Sequence, residues 1–137
     1  MVSFPSLDED DVVAAAARGG ALRLKYFLES VVASGALCMW GDDEGMSLME
    51  DGDGDVVVPV WSHPAFAERE MRSSAEPGEG VIPLELGRFL DVTLPSIQEQ
   101  GLGLAVFPVD DRIAATLTPA QFRSKIAAAS PPPGGDG

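Results

Sequence analysis

The sequence predicts an α+β fold, with an antiparallel sheet of about five strands and helices packed on one face. Three observations carry that expectation. Apolar residues recur at helical spacing in Leu24, Phe27, Leu28 and Val31, and again in Leu86, Phe89, Leu90, Leu94 and Ile97. Three short apolar runs bounded by Gly and Asp fill residues 36–61, and two more fill residues 104–117. A chain of 137 residues is long enough to bury about two-thirds of its unfolded surface without staples, so one domain is expected over residues 1–129. The Pro/Gly-rich tail, residues 130–137, is expected to be disordered.

The elements follow in order. Ser6 and Glu9 have capping-box spacing ahead of Val12 and Val13, and Gly19-Gly20 can end that first helix. The face Leu24, Phe27, Leu28 and Val31 defines a second helix stopped by Gly35. Ala36–Trp40, Met46–Met49 and Val56–Trp61 form an antiparallel meander, in which Pro59 belongs on an edge or at a bulge because it lacks a ladder N–H. Ser62-His63-Pro64 starts a short helix that turns Phe66 and Met71 inward, and residues 73–80 form a loop. Pro83 opens the long amphipathic helix, kinked by Pro95 and closed by Gly101. A hairpin joins Leu104–Phe107 to Ile113–Leu117. Thr118, Pro119 and Gln121 then cap a last helix with Phe122 and Ile126 inward.

Charge narrows the choice of partner. The formal net charge is −13, from 22 acidic and 9 basic side chains, and such a field repels phosphate backbones and anionic membranes. Arg18, Arg23 and Lys25 are the only basic cluster. The single cysteine, Cys38, permits no internal disulfide, the N-terminus has no signal-peptide pattern, and no apolar run reaches bilayer length. These observations predict a cytoplasmic protein without nucleic-acid or membrane partners.

The order of several short segments resembles a bacterial family known as domain of unknown function 2750. They are Leu24-Lys-Tyr-Phe-Leu28, Met39-Trp40-Gly41, Val58-Pro-Val-Trp-Ser-His-Pro64, Pro83 to Gln100 and Ala105-Val-Phe-Pro108. The resemblance spans Leu22 to Ala127 and implies no activity. The same order is similar, as an architectural analogy only, to the N-terminal domain of the SseB family.

No motif assembles a recognisable catalytic or cofactor site. Asp51-Gly-Asp-Gly-Asp55 resembles the opening of a calcium loop, but the sixth position is Val56 and the twelfth Ser62, where Gly and Glu are needed. A hairpin turn accounts for it better. A Cys–His nucleophile pair would have to use Cys38 and His63, which lie in no thiol-enzyme motif, and Ser62 has no G-x-S-x-G elbow. Gly101-Leu-Gly103 is no dinucleotide fingerprint, and Gly41–Gly45 is no phosphate loop. No cofactor, metal or catalytic residue is therefore assigned.

The residues left to meet a partner are Trp40, Asp42, Asp43, Asp51, Asp53, Trp61 and His63. Each tryptophan stands at a strand end, where it either closes the core or anchors a partner. In a simple meander the two acidic turns fall at opposite ends of the middle strand, about 15 Å apart. The resulting expectation is a non-catalytic module that binds another protein, a basic one if the charge is used. The alternative is a small-molecule enzyme or sensor with a pocket between the sheet and the Pro-kinked helix.

Overall fold

The computed structural model describes residues 2–72, 75–110 and 112–130. Of the tail expected to be disordered, only Ser130 is among them.

Helix α1, Glu9–Ala16, starts two residues later than the Ser6 and Glu9 pattern suggests. Asp8 is the N-cap, accepting from the Asp11 N–H, while the Asp11 carboxylate accepts from the Asp8 N–H. A second acceptor pair at the same spacing thus competes locally and wins, and Glu9 and Asp10 fall in the first turn, where the helix dipole favours them. Helix α2, Gly20–Ser34, ends as expected at Gly35, which has φ 70° and sends its N–H to the Val31 carbonyl. Phe27 and Val31 are fully buried, and Arg23 is only 3% exposed on the same stripe.

The predicted single sheet is in fact two. β1 (Ala36–Asp42) lies between β2 (Gly45–Met46) and β5 (Gly80–Glu85), while β3 (Met49–Glu50), β4 (Val56–Val60), β6 (Gly103–Val106) and β7 (Ala115–Leu117) form a four-stranded sheet in that order. One antiparallel bridge joins them: Cys38 and Trp61 exchange N–H···O bonds of 2.8 and 2.9 Å. The break has a chemical cause. The outer edge of β4 is paired by β3 at Val56 and Val57 and by β1 at Trp61, and Pro59, which has no N–H to offer, stands between. Pro59 is therefore in an interior strand, at a place where that strand's outer edge has no partner among the described residues.

Two further expectations are corrected. β4 and β6 run parallel, so the sheets are mixed rather than wholly antiparallel. The helices also do not keep to one face. Residues 36–41 of β1, 57–60 of β4 and 104–106 of β6 are buried without alternation, which requires cover on both faces because successive side chains point opposite ways. Helix α2 packs on β1 and β7, whereas α3 (Pro64–Met71) packs on β1 and β5.

Pro83 does not open a helix. It sits in β5, opposite Cys38, on the outer edge of its sheet, where a missing N–H costs little. The helical stretch follows as α4 (Leu86–Arg88), a π-helical turn (Phe89–Thr93) and α5 (Leu94–Glu99). The Leu94 N–H reaches back five residues to the Phe89 carbonyl, so the kink expected from Pro95 is taken up as a π-turn. Helix α6, Pro119–Ala129, carries the expected caps: Thr118 accepts from the Gln121 N–H at 3.1 Å and Gln121 accepts from the Thr118 N–H at 2.9 Å. Phe122 packs edge-on against Phe27 and Phe89 in a core that extends to Trp61, Phe66 and Phe107.

Candidate functional site

Strand directions decide which loops share an end. β1 is antiparallel to β4 through the Cys38–Trp61 bridge, so the exit of β1 and the entry of β4 lie at the same end. The register of β2 on β1 and of β3 on β4 places both acidic turns there, 43–44 after Asp42 and 51–55 before Val56. They are not at opposite ends of one strand, because the expected middle strand is broken. β2 runs against β1, the chain reverses at Ser47 and Leu48, and β3 runs with β1. Antiparallel pairing of β5 with β1 brings the 76–79 loop to this end too.

The result is an acidic end. Residues 42–55 carry seven carboxylates and no Lys or Arg, and Glu76 and Glu79 join them. Asp42 accepts from the Glu44 N–H at 2.9 Å, and Asp51 Oδ1 accepts from the N–H groups of Asp53 and Asp55, each at 2.9 Å. Asp42 and Asp51 thus shape their own turns, while Asp43 and Asp53 are exposed. Among the described residues no group of three or more His, Cys, Asp or Glu is placed to hold a metal ion. Leu48 (47% exposed) and Val56 (43%) stand open within this stretch. A groove of about 430 Å³ runs between Asp51, Asp55 and Val56 on one side and Leu102, Thr118 and Gln121 on the other.

Glu79 fastens this end together. Its carboxylate accepts from the Glu76 N–H at 2.8 Å, the Trp40 indole N–H at 3.4 Å and the Ser47 hydroxyl at 3.1 Å. The Glu76 backbone bond, with those from Ser47 and Trp40, holds its pKa below the usual carboxylate value against partial burial and the charge of Asp42. Trp40 itself is 5% exposed.

Trp61 and His63 lie at the other end, where β4 and β6 finish. Trp61 has no exposed surface and donates from its indole to the Pro108 carbonyl at 3.1 Å, so it offers nothing to a partner. His63 is the N-cap of α3. Its Nδ1 accepts from the Ala65 N–H at 3.0 Å, and its Nε2 lies 2.6 Å from the Pro5 carbonyl oxygen. Both ring nitrogens therefore serve backbone groups, and neither is bonded to Cys38 or Ser62. Cys38 is fully buried, and burial, aided by Glu68, pushes its thiol up to about 12. That is the opposite of an activated thiolate.

Arg23 belongs in sequence to the basic cluster Arg18, Arg23 and Lys25, but the structure sets it apart. Its guanidinium is buried and donates to three backbone carbonyls, those of Arg18, Phe107 and Arg112. Burial first, and then the Arg112 charge, lower its pKa, with Glu70 acting the other way. Arg18 stacks over the Tyr26 ring at 4.9 Å. The only available signal was spacing, since Arg23 precedes Phe27 and Val31 at intervals of four.

Fold and site together describe a mixed α+β domain whose strand ends separate an acidic surface from a corner braced by buried Arg23. The chain belongs to the family of proteins of unknown function DUF2750, whose profile matches residues 24–126, from α2 through most of α6. No curated protein sequence matches it. No helix among the described residues is long and apolar enough to cross a membrane.

Proposed function

We propose that this chain is a non-catalytic cytoplasmic module that docks a basic segment of another protein on the acidic end of its sheets. The observation that carries the reading is the convergence of both acidic turns at one end of the sheets, beside the exposed side chain of Val56. Carboxylates around an apolar centre suit a segment that mixes Arg or Lys with one large apolar residue. The groove bounded by Asp51 and Asp55 gives a cationic side chain a place to enter. The same field disfavours nucleic acids and anionic membranes.

The test is titration of the labelled protein with a synthetic peptide alternating Arg and Leu, followed by amide NMR, against a control peptide with Glu in place of Arg. Saturable shifts at Asp51, Val56, Leu102 and Thr118 are expected from the first peptide alone. Changing Asp42, Asp43, Asp51 and Asp53 to Asn should slow association more than it speeds dissociation, and added salt should act in the same direction. Equal shifts from both peptides, or binding indifferent to salt and to the four substitutions, would refute the proposal.

A further inference from the structure

A second feature lies at the opposite end of the strands and owes nothing to the acidic surface. A cleft of about 300 Å³, open to solvent beside the exposed Pro5 and Ala33, is lined by Pro5 and Leu7 of the N-terminal segment, by Tyr26, Ser30, Ala33 and Ser34 of α2, and by Ser62 and His63. Ser62 is 3% exposed, and its hydroxyl is buried with no hydrogen-bond partner among the described residues. Buried hydroxyls are nearly always paired, so this one is a cost that the fold carries unless something else bonds to it.

Two of the other polar side chains at hand, Ser34 and His63, are committed, while Ser30 and Tyr26 add hydroxyls to the lining. The Ser34 hydroxyl bonds both the N–H and the carbonyl of Ala36 at 3.2 Å, and both His63 nitrogens serve backbone. The lining holds no carboxylate, ammonium or guanidinium group, and Pro5, Leu7, Ala33 and the Tyr26 ring make its walls largely apolar. A charged guest would lose its hydration there without compensation. The volume is at the low end for ligand pockets, which limits the guest to a compact molecule.

We infer that this cleft is a binding site for a compact, uncharged, mainly apolar molecule with one hydrogen-bonding group, which the Ser62 hydroxyl engages. The N-terminal segment forms one wall of it. The segment is held by the Pro5 carbonyl on His63 Nε2, by the Phe4 ring edge-on to the His63 ring, with centroids 5.6 Å apart, and by Leu7 packed against the core. That wall thus comes from residues 5 and 7, ahead of the family-matched span, and the rest of the lining from residues within it.

The experiment uses the full chain and four probes, benzamide, phenol, benzoate and toluene, read by NMR shifts at Ser30, Ala33, Ser62 and His63. Benzamide and phenol should bind saturably and benzoate should not. Ser62→Ala should weaken benzamide and phenol about tenfold, the worth of one hydrogen bond, while leaving toluene unchanged. A second variant, Ala33→Leu, fills the cleft and should abolish binding of all probes in a protein that stays folded. Absence of saturable shifts with any probe, or equal affinity of benzamide for the parent and Ser62→Ala proteins, would overturn the assignment.

Discussion

Arg23 Nε donates to the carbonyl oxygen of Phe107 at 3.3 Å, across 84 residues of sequence, and so ties the start of α2 to the corner after β6. Phe107 has φ 49°, a backbone region that favours glycine, yet it is fully buried and its ring packs at a tilt against Phe66 with centroids 4.7 Å apart. The guanidinium fork holds this corner by bonding Phe107 on one side of the turn and Arg112 on the other. Arg23→Met should therefore cost about 3 kcal/mol, since three carbonyls lose a charged donor at once. Arg23→Lys should recover only part, because an ammonium cannot reproduce the planar fork. Urea denaturation measures both, and a loss under about 0.5 kcal/mol in Arg23→Met would contradict this account.

Glu79 predicts a pH dependence. Its folded-state pKa is depressed, so its contribution is present above the unfolded carboxylate value and is lost as pH falls through the lower folded value. Acidification below the ordinary carboxylate range should release the Trp40 indole and the Ser47 hydroxyl together. The Trp40 indole N–H resonance should titrate at a pH below that of a free glutamate. In Glu79→Gln that titration should vanish, and its persistence would show that another group is responsible.

Gly41 predicts a steric requirement at the acidic end. A Cβ there would meet the Gly45 carbonyl oxygen and approach the Met46 Cα to 2.8 Å, both backbone atoms of the β1–β2 hairpin. Gly41→Ala should open the hairpin and destabilise the protein by about 2–4 kcal/mol. Thermal unfolding reads the loss, and a melting temperature within a degree of the parent would be incompatible with the hairpin described.

Cys38 predicts chemical silence. A thiol pushed up to about 12 leaves only about one molecule in ten thousand as thiolate at pH 8, and the side chain has no exposed surface. Labelling by a chromogenic disulfide reagent should wait for unfolding and follow its rate. Fast stoichiometric labelling of the native protein would require an opening at the β1–β4 bridge.

Much of this was legible along the chain. Thr118, Pro119 and Gln121 identified the start of α6, Gly35 the end of α2 and Pro95 the disturbance before α5. Each of these signals acts within one or two turns of backbone, through a hydroxyl that reaches an N–H, a positive φ or a missing donor. The same locality explains the errors. Asp8 and Asp11 offered a second capping pair beside Ser6 and Glu9, and Pro83 suits an edge strand as well as a helix start.

By itself the sequence determined the α+β class, the acidic balance, the capped start of α6, the Gly35 end of α2 and the failure of Asp51–Asp55 to complete a calcium loop. Tertiary structure alone decided that the sheet divides at Pro59, that β4 and β6 run parallel and that both acidic turns share one end. It also decided that Arg23 is buried and that the Ser62 hydroxyl has no partner among the described residues. The reason is that capping and turn chemistry depend on atoms a few residues apart. Strand order, direction and burial depend on which distant edges satisfy one another's N–H and C=O groups, and no local pattern encodes that choice.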